Sequence, residues 1–161
     1  MGKLSSFRDL NVYQKLKALH LDVHWETMRF PKHEMYELGS QVRRSSNAVP
    51  AILAEGWGSR HTNIYIEAIN RSMGELRETQ HHIDVAHEKA YFSQERFDEL
   101  DTRYDECGRM LEGLHQSLSK WRGTTRTGHV VREERAAYGS ESEDADWDQI
   151  AELTLEHDKE L

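Results

Sequence analysis

The sequence predicts an all-α fold: an antiparallel up-down four-helix bundle with a kinked second helix and a flexible acidic C-terminal tail. Three observations lead there. Apolar residues recur at three- and four-residue spacings along residues 7–122, the pattern of helices with one buried face. With 2 prolines and a 9% aromatic share, the composition suits helices better than sheet. Short breaks separate four periodic stretches, and helices joined by short loops pack antiparallel.

The first helix is predicted from Phe7 to Arg29, with Val12, Leu16, Leu19 and Val23 on its buried face. Phe30-Pro31 ends it, because the residue before a proline avoids helical angles. Pro31 suits the first turn of the second helix, where its missing N–H costs nothing. That helix should reach Trp57, with Leu38, Val42, Val49 and Leu53 inside and Gly56 and Gly58 as its stop. Pro50 falls in mid-run. It removes the N–H that would bond the Ser46 carbonyl, at a cost of ~3 kcal/mol in an ordinary helix interior. A kink is therefore expected at residues 46–50, with Ser45, Ser46 and Asn47 satisfying or solvating freed carbonyls.

The third helix starts at a Thr62 or Asn63 cap and runs to about Ala90, burying Ile69, Met73, Leu76 and Ile83. Ser93 caps the fourth. Its Phe97, Leu100, Tyr104, Cys107, Leu111, Leu114, Leu118 and Trp121 alternate three and four apart, as in a coiled coil. Residues 1–122 are thus the bundle and 123–161 a linker and tail. Gly123–Gly128 reads as linker, and the ESEDAD run as solvated and disordered. Trp147, Ile150, Ala151, Thr154 and Leu155 repeat helically behind an Asp146/Gln149 capping pair. Residues 146–157 are therefore either a short acidic helix or a frayed end, since helices under ~12 residues are marginal alone.

Composition narrows the function. The 161 residues make one domain, 37% hydrophobic and 31% charged. No run approaches the ~18 apolar residues of a membrane span, and no signal-peptide core stands at the N-terminus. MGKLSS matches the loose myristoylation pattern, which is short enough to recur by chance. The lone Cys107 excludes an internal disulfide and lies on an apolar face, as a buried free thiol does. Residues 1–122 carry 17 Lys+Arg against 18 Asp+Glu, a net −1; residues 123–161 carry 4 against 11, a net −7. The acidity belongs to the tail, so the near-neutral body can still present a local basic patch.

Ten histidines on a four-helix scaffold raise a di-iron site, which needs Glu-x-x-His on two helices. Glu78–His81 and Glu112–His115 match that spacing. At about 100° per residue, however, both pairs point away from the faces of Leu76 and Leu114. Inward ligands are required, so no metal and no cofactor is assigned. No phosphate-gripping glycine loop and no nucleophilic triad order stand in the sequence, and no catalytic residue is nominated. Glu55, the one carboxylate near a core face, reads as a structural partner for an arginine or a helix end.

Arg43 and Arg44 flank the Pro50 region, and Arg60 follows the glycine stop. Cations so placed suit either phosphate or the carboxylates of a second subunit. Lys15 and Lys17 are candidates to assist. The stretches Phe7–Leu10 with Tyr13, Phe30-Pro31, Ser40–Arg44, Val49–Ala51, Ala54–Gly58 with Arg60, and Met73–Leu76 with Glu78–Gln80 resemble a known family. It is the small bacterial four-helix bundle family encoded by intervening sequences of 23S ribosomal RNA genes, to which the accessory protein of diversity-generating retroelements is related. The resemblance covers residues 7–122. Ile52 stands where the family commonly has asparagine. The resemblance implies a cytoplasmic homopentamer built around a central channel, and an RNA or reverse transcriptase partner. On that reading Pro50, Glu55, Gly56, Trp57 and Gly74 are structural or interface residues, Gly74 permitting close helix approach. Trp25, Tyr65 and Tyr91, lying off the predicted core faces, would be interface aromatics. Two functions remain: a non-enzymatic oligomer that binds nucleic acid or assists ribonucleoprotein assembly, or a protein-binding scaffold using the same arginines in salt bridges. On the first, the tail is a competing polyanion.

Overall fold

A computed structural model describes residues 5–59 and 61–130, with 121–130 as backbone alone. A 3-10 turn, Phe7–Asp9, precedes α1, Asn11–Thr27. The first helix thus begins later than the periodicity suggests. Ser6 and Asp9 form a capping box around the turn. The Asp9 carboxylate accepts from Ser5 N, Ser5 Oγ and Ser6 N, each at 2.9 Å. Leu10 then leaves helical angles (φ −68°, ψ 122°) to put its side chain in the core.

The second predicted helix is two. Pro31 opens the four-residue α2, Lys32–Met35, and α3 covers Leu38–Gly56. The break falls at Tyr36–Glu37, upstream of the expected 46–50, and α3 runs on through Pro50. The Ser45 hydroxyl donates to the Gln41 and Val42 carbonyls and that of Ser46 to Arg43, one turn above the carbonyl that Pro50 frees. Pro50 itself is buried, as is Ile52.

Helix α4 spans Thr62–Glu88 and α5 Gln94–Val130. Ser93 caps α5, its hydroxyl accepting from Arg96 N at 3.2 Å. The backbone of α5 stays helical through Gly123–Gly128, the stretch read as linker. The acidic run and residues 146–157 lie outside the described residues. Helix α4 stops in a Schellman turn: Tyr91 N bonds Ala86 O at 2.9 Å and Ala90 N bonds His87 O at 2.8 Å. Ala90 occupies the left-handed position at φ 60°, where glycine fits without strain. Ala90→Gly is expected to stabilise the fold by about 0.5–1 kcal/mol, read as a higher denaturant midpoint at unchanged slope.

Cross-helix pairs give the topology. His20 meets Ser46 and Thr27 meets Arg43; Val49 meets Ser72 and Gly56 meets Tyr65. Leu76 lies beside Gly108, and Gln80 bonds Asp101. Glu26 pairs with Arg96, Asp22 with Arg103 and Lys15 with Glu106. In every pair one number rises as the other falls, so α1, α3, α4 and α5 form a closed antiparallel ring. The predicted faces of the first three helices are buried throughout; in α5 Phe97 is half-buried and Leu100 to Leu118 are inside.

Two aromatics expected at an interface have partners inside the chain. Tyr65 is fully buried between Gly56 and the edge of Trp57, whose ring centroid is 6.0 Å away. Tyr91 is half-buried against Phe30 at 5.1 Å and donates to Glu34 at 3.3 Å. Trp25 alone of the three stays exposed, at 65%.

Candidate nucleic-acid interface

The five cations nominated for phosphate fall into different environments. Arg43 is turned into the corner where α1 ends and α3 begins. One arm of its guanidinium donates to Thr27 Oγ1 at 3.1 Å, the other to the Met35 carbonyl at 2.7 Å. Met35 ends α2, so its carbonyl has lost its helical partner. Thr27 is fully buried at the end of α1. Arg43 therefore holds the fold at this corner. Next to it, His20 Nδ1 lies 2.9 Å from Ser46 Oγ. The same Ser46 hydroxyl lies 3.1 Å from the Arg43 carbonyl, so it joins the imidazole to the α3 backbone. Burial, with His24 nearby, holds His20 below the usual imidazole range.

Lys15 pairs with Glu106 on α5. Lys17 and Arg44 are exposed and make no ion pair among the described residues. Arg60 lies outside them. Glu55, expected as a structural partner, is also exposed with no ion pair there. Trp57 is half-buried against the core. Gly56 is needed for close approach: a Cβ on it would lie 2.4 Å from Ala68 Cβ and 3.0 Å from Tyr65 Cδ2. Gly74 is the reverse, exposed, with nothing from beyond its own helical turn within 4 Å of an added Cβ among the described residues. It permits no close approach inside the bundle.

A rail of charge closes the ring between α1 and α5. Arg103 holds Asp22 at 2.7 Å and Glu99 at 3.2 Å; Arg96 holds Glu99 at 2.5 Å and Glu26 at 3.3 Å. Asp22 and Glu26 are the only carboxylates in α1, and both are taken by α5. The two halves of the ring then differ. Residues 11–56, covering α1 to α3, hold 6 Lys+Arg and 5 Asp+Glu, a net +1; residues 62–120, covering most of α4 and α5, hold 7 and 12, a net −5.

One ion pair, a buried carboxylate held by an exposed lysine, was not foreseen. Glu34, on α2, is 8% exposed, with Lys89 Nζ at 2.5 Å and the Tyr91 hydroxyl at 3.3 Å. Lys89 holds the Glu34 carboxyl below the usual range, and Glu34 holds Lys89 above its own. A depressed carboxylate stabilises the fold above its unfolded pKa, and that contribution is lost as pH falls through the folded one. Glu34→Gln is thus expected to lower stability at neutral pH and flatten its decline on the acid side of about pH 5, read as denaturant midpoints along a pH series.

Glu78, His81 and Glu112 are exposed and His115 is half-buried, so both Glu-x-x-His pairs sit outside the core. Among the described residues no group of three or more His, Cys, Asp or Glu is placed to hold a metal ion. Burial pushes the Cys107 thiol up to about 11, out of the nucleophilic range. No helix of the described residues is long and apolar enough to cross a membrane.

The ring of antiparallel helices, closed by polar seams, places the molecule among the small four-helix bundle proteins. Within that class the chain belongs to the 23S rRNA-intervening sequence protein family, whose model matches residues 8–113. No match is found among curated proteins.

Proposed function

We propose that the protein is a non-enzymatic homo-oligomer, a pentamer of bundles, that binds RNA or assists assembly of a ribonucleoprotein or reverse transcriptase. The observation that carries this reading is the charge asymmetry of the ring: α5 neutralises the carboxylates of α1, leaving Lys17 and Arg44 exposed on the less acidic half. The family's description, which ties it to 23S rRNA intervening sequences, agrees. Phosphate contacts of this kind are sequence-independent and salt-sensitive. Lys17→Ala with Arg44→Ala should weaken binding to structured RNA and reduce its log–log salt slope by about 1.4–1.8. The sedimentation mass should stay five times that of the 18.8 kDa chain. Unchanged RNA affinity and slope in the double variant would remove the RNA reading.

A second reading, a protein-binding scaffold, is favoured by the outer face of α1. Leu21, Trp25 and Met28 are all large, apolar and exposed there. A scaffold predicts no salt-dependent RNA binding at all, and loss of assembly when this face is made polar.

A further inference from the structure

Helix α1 has two apolar faces. Val12, Leu16, Leu19 and Val23 fill the core, while Ala18, Leu21, Trp25 and Met28 form a second row, alternately three and four apart, on the outside. Leu21 is 48%, Trp25 65% and Met28 42% exposed. The His24 ring meets the indole edge-on at 5.0 Å and helps hold it in place. Such a row is the contact strip of one helix packing on another.

We propose that residues 146–157 of the same chain cover this row. Pattern, charge and reach support that occupant. In the sequence, Trp147, Ile150, Ala151, Thr154 and Leu155 repeat with the helical step that the α1 row follows, so the two strips can interdigitate over their length. Residues 141–158 hold 8 Asp+Glu and no Lys or Arg. The α1 row faces them without a free carboxylate: Asp22 and Glu26 are bound to Arg103 and Arg96. Cations stand at both ends, Lys17 at one and Lys32 at the other, both exposed, with Arg29 beside Lys32 also exposed though within 3.5 Å of Glu26. Lys15 pairs with Glu106, and from Glu106 α5 continues to Val130, about 36 Å beyond. Leu21 lies about 9 Å the other way along α1. Residues 131–146, drawn out, reach roughly 53–58 Å, enough to bring Trp147 level with Leu21.

Cover of this kind shields the apolar row from solvent and lays a polyanion beside Lys17. It stands or falls apart from the RNA reading, because its test uses no nucleic acid. Cys107 is fully buried, so in the full chain carrying Gln149→Cys a nitroxide reagent modifies the new thiol selectively. Paramagnetic broadening of amide signals is expected at Ala18 to Met28 and not on the outer faces of α4 and α5. It should be lost in chains also carrying Leu21→Glu and Trp25→Glu, both at exposed positions, whose circular dichroism should match the parent. Mixing with an excess of unlabelled chain should leave the broadening unchanged. Broadening absent from α1, persistent after the two glutamates, or abolished by dilution would overturn the proposal. In the last case the occupant is a second copy.

Discussion

Gly56→Val is expected to destabilise the protein by about 3 kcal/mol, through overpacking where the end of α3 lies close against α4. Even the first added carbon would overlap Ala68 Cβ at 2.4 Å. Tyr65, on the other side, is fully buried and has no room to withdraw. Gly56→Ala should cost less, about 2 kcal/mol, because alanine regains up to ~1 kcal/mol of helix propensity. Gly74→Ala separates packing from propensity. With nothing from beyond its own helical turn within 4 Å among the described residues, it should stabilise the isolated bundle by about 0.5–1 kcal/mol. Thermal midpoints of the three variants should fall on both sides of the parent. A parent-like Gly56→Val would mean that α3 and α4 are further apart than described.

The second large effect separates two neighbours that the sequence treats alike. Arg43→Ala should cost about 2–3 kcal/mol, since it removes two charge-assisted hydrogen bonds and leaves the Met35 carbonyl short of a partner, while the Thr27 hydroxyl keeps only its bond to the His24 carbonyl. Arg44→Ala should change stability by no more than ~0.5 kcal/mol, as exposed substitutions away from packing usually do. If RNA is bound, the pair reverses: Arg44→Ala weakens it more per unit of stability lost. Lysine at 43 should not restore the corner, because a single ammonium cannot span Thr27 and Met35 with the geometry of a planar fork. Chemical denaturation of the three single variants decides it.

The helices and most of the core were legible because burial on one face leaves a period in the sequence. Val49, Leu53, Ile69 and Leu111 sit where that period puts them. Tyr65 escaped it. It lies 4 residues before Ile69 on the buried face, yet its hydroxyl suggests an interface, and the space that receives it is made by Gly56 on another helix. The break at Tyr36–Glu37 was hidden for a similar reason. Pro50 announces itself as a breaker, whereas the actual break is held by Arg43 reaching back to Met35 and by Glu34 reaching Lys89. Those are tertiary bonds between residues 8 and 55 positions apart, and no local pattern carries them. The split of the nominated cations was equally out of reach, since Lys15 and Lys17 differ only in which side of α1 meets α5. The outer row of Leu21, Trp25 and Met28 could have been found. Its spacing is as regular as the inner one, and a helix periodic on two sides has two neighbours to satisfy.

The rail between α1 and α5 joins the first and last long helices, which no loop connects. Every other neighbouring pair in the ring is tethered by a short link; here the shared apolar core is supplemented only by Arg96, Arg103 and Lys15 pairing with their carboxylates. Partly exposed pairs are screened by salt within a Debye length of about 8 Å at physiological strength. Raised ionic strength should therefore loosen this seam first: amide protons of α1 are expected to exchange somewhat sooner, while those of α3 and α4, gripped by Gly56 and Ser72, keep their protection.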